Sequence, residues 1–178
     1  MIEVICGPMF SGKTEELLRR LNRLVYAHVN FLLFKPKIDD RYSELEVVSH
    51  NGRRVKSIPI TYAEEIETVS VQNPTFSVIA IDEVQFLQHE VVNICKRFDS
   101  PTTRIIVAGL DMDYTGTPFD IMKELLPIAD KVDKLSAVCL RCGEDAKMSY
   151  KRPSENSDIV EIGGSDKYEA RCIGCWHL

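Results

Sequence analysis

Gly7-Pro8-Met9-Phe10-Ser11-Gly12-Lys13-Thr14 decides the fold class of this chain. The stretch fits the spacing G-x-x-x-x-G-K-[ST], and it follows an apolar run, Ile2 to Cys6, and precedes an amphipathic segment. Glycines in such a loop let the backbone wrap a phosphate, so that successive N–H groups point at its oxygens. The N-terminus of the following helix adds partial positive charge. Lys13 then reaches the terminal phosphates of a nucleoside triphosphate, and Thr14 offers a hydroxyl to Mg²⁺. Gly7, Pro8, Met9, Phe10, Ser11, Gly12, Lys13 and Thr14 are therefore expected to hold the triphosphate.

Outward from that loop, short runs rich in β-branched residues recur at Val29 to Phe34, Ser77 to Ile81, Arg104 to Ala108 and Lys131 to Val138, with helical segments between them. Strands alternating with helices predict an α/β fold, a parallel sheet with helices on both faces. The first helix is expected to start near Gly12 and to bury Leu17, Leu18, Leu21, Leu24 and Val25, leaving Arg19, Arg20 and Arg23 on a solvated face. Leu45 to Ser49 and Arg53 to Ile58 flank His50-Asn51-Gly52, which reads as an inserted hairpin. Thr61-Tyr62-Ala63-Glu64 matches a capping box that opens a short helix.

With 178 residues, 44% hydrophobic and 28% charged, the chain has the composition of one folded domain and a small appendage; disorder is excluded. Two full motor lobes do not fit in this length. The net charge of −5 disfavours a nucleic-acid partner. No apolar run approaches the ~20 residues of a membrane helix, and Met1 to Gly7 lacks the basic start and long apolar core of a leader, so a cytoplasmic location is expected.

Val78-Ile79-Ala80-Ile81-Asp82-Glu83 is an apolar strand ending in two carboxylates. Asp82 is expected on the Mg²⁺ side of the nucleotide, and Glu83 beside it as a general base. Such a base serves water in an ATPase or an acceptor hydroxyl in a kinase. Apolar residues at the carboxyl ends of the strands favour the kinase: Met9 and Phe10 in the phosphate loop, Phe86 and Leu87 after the acidic pair, and Leu110, Tyr114 and Phe119 after the Gly109 strand. Flat and flexible apolar side chains around a carboxylate suit an aromatic acceptor such as a nucleobase. Asp113-Tyr114-Thr115-Gly116 also fits D-x-x-G, but that pattern carries little information, and no Asn-Lys-x-Asp segment accompanies it.

Six cysteines divide into two classes. Cys6 and Cys95 lie in apolar stretches and read as core. Cys139-Leu140-Arg141-Cys142 and Cys172-Ile173-Gly174-Cys175 are two knuckles sufficient for a closed tetrahedral Zn²⁺ site of structural type. A dithiol redox pair is the competing reading, and His177 is an alternative ligand to Cys175. The 29 residues between the pairs, 143 to 171, exceed the roughly 15 to 20 of a simple ribbon, so an excursion around Asp158 to Tyr168 is expected, clamped at both ends and mobile at Gly163-Gly164. That describes a substrate lid. The expected division is a phosphate-loop domain over 1–138 and a zinc-ribbon subdomain over 139–178.

Taken together, Gly7 to Thr14, Asp39-Asp40-Arg41-Tyr42, Asp82-Glu83-Val84-Gln85-Phe86, Gly109-Leu110-Asp111, Gly163-Gly164-Ser165-Asp166-Lys167-Tyr168 and the cysteine pairs resemble, in order and spacing, the cytosolic zinc-containing thymidine kinases. The resemblance covers essentially the whole chain, and its Gly-Gly-x-x-Lys-Tyr segment is the most specific part. It implies ATP as phosphate donor, Mg²⁺, structural Zn²⁺, and transfer to the 5′-hydroxyl of thymidine, with deoxyuridine as a second acceptor, in pyrimidine deoxynucleotide salvage for DNA synthesis. Glu83 matches the family's base, with Lys13 and Arg41 as catalytic partners. Asp39, Asp82, Val84 and Gln85 join the phosphate loop on the ATP and Mg²⁺ side. Met9, Phe86, Leu110, Tyr114 and Phe119 match the base pocket. The lasso residues Ile159, Val160, Glu161, Ile162 and Gly163 hold the thymine through backbone hydrogen bonds, and Tyr168 closes on the nucleoside. The resemblance also implies a homotetramer inhibited by thymidine triphosphate (dTTP). Tyr114 stands where relatives often have Phe, Val84 replaces a smaller residue, and the chain ends at Leu178 without a long tail, so a bacterial or viral-type member is expected.

Two rival functions differ in what they require. A P-loop ATPase with a zinc ribbon, coupling hydrolysis to a conformational cycle, needs no nucleoside. A non-catalytic zinc-ribbon interaction module that uses nucleotide as a structural ligand shows no turnover with any acceptor, and Glu83 weighs against it.

Overall fold

A computed structural model of the chain describes residues 1–38, 46–48, 54–153 and 163–178. Asp39, Arg41, the lasso residues Ile159, Val160, Glu161 and Ile162, and the His50-Asn51-Gly52 turn lie outside the described residues. The chain runs through β1 (Ile2–Gly7), α1 (Lys13–Tyr26), β2 (Phe31–Pro36), β3 (Glu46–Val48), β4 (Arg54–Lys56), β5 (Ile58–Ile60), α2 (Glu65–Gln72) and β6 (Val78–Ile81). It continues through α3 (Glu90–Phe98), β7 (Arg104–Leu110), α4 (Asp120–Ile128) and β8 (Lys131–Lys134). After these come β9 (Ala137–Val138), β10 (Asp145–Ala146), β11 (Met148–Lys151), β12 (Tyr168–Arg171) and α5 (Ile173–Trp176).

Six strands form one parallel sheet in the order β5-β2-β6-β7-β1-β8. Alternation of side chains along each strand feeds two apolar layers. Val4 and Cys6 of β1, Ile79 and Ile81 of β6, and Ile105 and Val107 of β7 pack with Ile66 of α2, Val91 and Ile94 of α3, and Met122 and Leu125 of α4. Ile5, Ala80, Ile106 and Ala108 face the other way, against Leu17, Leu18 and Leu21 of α1. Each fully buried Leu contributes roughly 2 kcal/mol of burial free energy, so the α1 stripe alone anchors that helix firmly. The β3–β4 hairpin is antiparallel as expected, and Val47 and Val55 pack onto the α1 layer.

From β1 the chain crosses to β2 on one side of the sheet, whereas from β7 it crosses through α4 to β8 on the other. The carboxyl ends of β1 and β7 thus flank the crevice where an α/β sheet binds ligands. The phosphate loop leaves β1 at that point, and the register pairs Gly7 with Leu110. Among the described residues, no helix is long and apolar enough to cross a membrane.

Local expectations are corrected in four places. The run Lys131 to Val138 is two strands: β8 ends the parallel sheet, and β9 pairs antiparallel with β10. Val25 is exposed. Glu65, not Glu64, closes the start of α2, its Oε1 accepting from the Thr61 and Tyr62 N–H groups at 2.7 and 2.8 Å. Periodicity assigns Arg20 to solvent, yet its side chain is 6% exposed.

Arg20 is buried because Glu3 stands on the α1-facing side of β1 and needs a cation. Arg20 pairs with Glu3 and Asp133 and donates through Nε to Glu16 at 2.9 Å, while Arg104 donates to Glu3 at 2.5 Å. Burial pushes the Glu3 carboxyl up, but the hydrogen bonds and charges of Arg104 and Arg20 outweigh it and hold it below the ordinary value. The Arg19 hydrogen bond, followed by that of Arg20, brings Glu16 down to about 2 from 4.5. Carboxylates lowered in this way stabilise the fold above their unfolded values and lose that contribution as pH falls toward their folded ones. Arg20→Met should therefore cost about 3 kcal/mol at neutral pH, because acids buried around it lose their cation. Urea melts at neutral pH and at about pH 3 test this: the deficit should shrink at acid pH. An undiminished deficit would show that Arg20 acts through packing.

Candidate active site

The loop between β1 and α1 owes its path to its two glycines. Gly7 has φ 144°, and a Cβ there would lie 2.4 Å from the Leu135 carbonyl oxygen, so only glycine passes. Gly12, at φ 81°, turns the chain directly into α1, whose first N–H groups carry no side-chain cap. That leaves the helix N-terminus oriented for an anion. Phe10 is left-handed at φ 64° and 41% exposed at the rim. Ser11 Oγ donates to the Pro8 carbonyl at 2.8 Å, and Lys13 Nζ donates to the same oxygen at 2.7 Å. Lys13 is buried, with its ammonium drawn across the loop.

Thr14 and Asp82 come together at the mouth of the loop. Thr14 Oγ1 lies 3.2 Å from Asp82 Oδ2, and Asp82, itself buried, accepts the Glu83 N–H at 3.1 Å. One strand, β7, separates β1 from β6, so this hydroxyl–carboxylate pair bridges over its end. A hydroxyl and a carboxylate at the mouth of a phosphate loop are the donor set that Mg²⁺ takes.

Glu83 follows at φ 49°, a left-handed conformation that costs a non-glycine residue of order 1 kcal/mol and turns the chain sharply after β6. The residue is only 9% exposed. Gln85 holds it: Nε2 donates to Glu83 Oε2 at 2.6 Å, while Oε1 accepts the Leu110 N–H at 3.0 Å. The backbone donor fixes which end of the amide faces which partner. Gly109 makes room, since a Cβ there would lie 2.5 Å from Gln85 Oε1. Val84 is fully buried in the main core and Leu87 joins that core rather than the pocket wall. The positioning of Glu83 by Gln85 is not readable from sequence, because the contact depends on β7 ending beside the turn. Gln85→Leu is expected to lower kcat by up to about 10²-fold by removing the amide that helps orient the carboxylate. An unchanged kcat in this variant would reduce Gln85 to packing.

The apolar residues Met9, Phe86, Leu110, Tyr114 and Phe119 are all half-buried on loops or strand ends at the carboxyl side of the sheet, and Phe119 also leans on the main core. Asp111, next to Leu110, is buried with Lys134 Nζ 2.9 Å from its Oδ2, an ion pair that joins the ends of β7 and β8. A depression of about 750 Å³ lined by Val29, Val78, Pro101 and Thr102 lies at the opposite, amino end of the strands and shares no residue with the phosphate loop.

The C-terminal cysteines converge. The four Sγ atoms of Cys139, Cys142, Cys172 and Cys175 lie within 4.8 Å of one another, with Cys142 and Cys172 at 3.6 Å. Tetrahedral zinc with Zn–S near 2.3 Å spaces its sulfurs about 3.8 Å apart, so the cluster fits Zn²⁺. The backbone N–H of Cys172, followed by those of Arg141 and Cys142, lowers the Cys139 thiol, whereas the neighbouring sulfurs of the cluster raise Cys142 and Cys175, so the four share their protons as one group. Apolar burial here is slight: the local core is Ala137, Cys139, Ala146 and Ala170, so cross-linking by metal supplies what packing does not. Cys6 and Cys95, by contrast, are buried thiols pushed up to about 11 and about 12, chiefly by burial, in keeping with the core reading. Tyr168 is buried at the start of β12, and Gly163 and Gly164 precede it. The cluster region also reaches the phosphate loop, where Ser149 Oγ of β11 accepts the Met9 N–H at 3.1 Å. Compared with known families, residues 1–176 match the model described as thymidine kinase.

Proposed function

The chain belongs to the thymidine kinase family, and from that membership and the site geometry we propose that it transfers the γ-phosphoryl group of ATP to the 5′-hydroxyl of thymidine, and of deoxyuridine, giving the nucleoside monophosphate. The observation that carries this reading is the Glu83 carboxyl group, on a buried residue next to the Thr14–Asp82 pair and bonded by Gln85, with half-buried apolar residues at the same end of the sheet.

The loop N–H groups, the α1 N-terminus and Lys13 bind the triphosphate tail and offset the charge that spreads over the moving phosphoryl group. Thr14 and Asp82 would hold Mg²⁺, which supplies charge neutralisation between the phosphates. Glu83 accepts the proton of the 5′-hydroxyl as the oxygen attacks phosphorus, and ADP leaves. Met9, Phe86, Leu110, Tyr114 and Phe119 sandwich the thymine, excluding the water that would otherwise compete. Gly163, Tyr168 and the lasso residues 159–162 close over the base, while Asp39 and Arg41 act near the phosphates. Residues 1–138 form the nucleotide-binding domain and 139–178 a zinc-clamped lasso subdomain. A cytoplasmic location, a homotetramer and inhibition by dTTP are inferred from family membership alone.

A panel of nucleosides incubated with γ-labelled ATP tests the reading. Label should pass to thymidine and deoxyuridine, with little release as inorganic phosphate. Acceptor-independent hydrolysis would instead support the ATPase alternative.

A further inference from the structure

Trp176, the single tryptophan of the chain, ties the cysteine cluster to the proposed nucleoside pocket. It ends α5, one residue past Cys175. Its indole Nε1–H donates to the Tyr114 carbonyl oxygen at 3.2 Å. The ring also lies against Gly116, where a Cβ would meet the indole at 3.4 Å and Met148 at 3.2 Å. Gly116 itself turns at φ 82°.

The loop it contacts is a preformed unit. Met112 and Pro118 bridge its ends, the Asp113 carboxylate accepts from the Thr115 and Thr117 N–H groups at 2.8 and 3.0 Å, and the Gly116 N–H reaches the Asp113 carbonyl at 3.1 Å. A loop stiffened from within moves as one body, so its outer attachments decide where Tyr114 stands. Those attachments come from the cysteine-cluster region: the indole of Trp176, and the Lys151 ammonium 5.3 Å from the Tyr114 ring centroid. The same region holds Met9, across the crevice, through Ser149.

We propose that Trp176 is a positioning residue for the acceptor nucleoside: it hangs the 112–118 loop, and with it the Tyr114 wall of the pocket, on the metal-clamped C-terminal region. The inference rests on Tyr114 lining the acceptor pocket. It separates the two substrates, because the triphosphate is held by the β1–α1 loop and α1, which Trp176 does not support.

The decisive comparison is Trp176→Phe, which keeps a ring over Gly116 and removes the N–H donor. Loss of one such bond is expected to raise the KM for thymidine roughly three- to tenfold and leave the KM for ATP unchanged. The variant should still carry one zinc per chain. Trp176 is also its own reporter: in the unaltered protein, thymidine should shift the tryptophan emission, and a non-hydrolysable ATP analogue should not. Unchanged KM values, or a parallel rise for both substrates, would overturn the proposal by making Trp176 either idle or a general stabiliser. If the variant loses zinc or unfolds, the emission titration of the unaltered protein decides alone, and an indifferent emission overturns the proposal. Failure of the kinase reading looks different, since the unaltered protein then phosphorylates no nucleoside.

Discussion

Glu83→Gln is expected to lower kcat for phosphoryl transfer by roughly 10²- to 10⁴-fold while leaving ATP affinity intact. The substitution is close to isosteric, and the new amide can still present a carbonyl oxygen to the Gln85 Nε2–H that now bonds Glu83 Oε2. Geometry at the tip of β6 is thereby retained, and only the ability to accept a proton is removed. In the phosphate loop Lys13 donates to the Pro8 carbonyl and Thr14 to Asp82, contacts that the substitution leaves in place. A shorter acid, Glu83→Asp, keeps the base but withdraws it from the acceptor, so it should fall between the two. Isothermal titration with a non-hydrolysable ATP analogue, alongside single-turnover rates, separates binding from chemistry. Turnover near the unaltered rate in Glu83→Gln would remove this residue from the base role and leave positioning by the loop as the source of rate.

Removal of the metal is expected to be as damaging by a different route. Chelation under reducing conditions should release about one zinc per chain and abolish nucleoside turnover, because binding free energy at structural zinc sites is of order 10 kcal/mol and the cluster region has little apolar core to fall back on. Cys172→Ser should reproduce the loss, since Cys172 sits between β12 and α5 and its sulfur lies 3.6 Å from that of Cys142. The damage should fall mainly on the acceptor side. Release of the cluster frees Tyr168, the Ser149 contact to Met9 and the Trp176 contact to Tyr114, whereas α1 and the sheet keep their own cores. Full nucleoside turnover by zinc-free protein would show that the cluster is incidental to catalysis.

The parts of this molecule that were legible from sequence are those specified by local chemistry. Gly7, where any Cβ would strike the Leu135 carbonyl, and Gly12, at a positive φ, bracket the phosphate loop, alternating apolar strands predict a covered parallel sheet, and paired cysteine knuckles announce their own convergence. What sequence hides is specified across the fold. Arg20 reads as one more helix-surface arginine until Glu3 is seen on the neighbouring face of β1. Lys131 to Val138 reads as one strand, but the chain must turn at Leu135, whose carbonyl packs against Gly7, before it can begin a second sheet. In the same way, the resemblance puts Gln85 on the ATP side, and only the fold adds that its amide bridges the Leu110 N–H at the end of β7 to Glu83. Leu87, one of several apolar residues near the site, turns inward because the helical turn after Glu83 carries it into the main core.

The measurement that bears most directly on the account is the fate of the γ-phosphoryl group when the purified protein, ATP, Mg²⁺ and thymidine are combined. The label should appear stoichiometrically on the 5′-oxygen of thymidine, dependent on Glu83. Label recovered as inorganic phosphate at a rate indifferent to thymidine would contradict it.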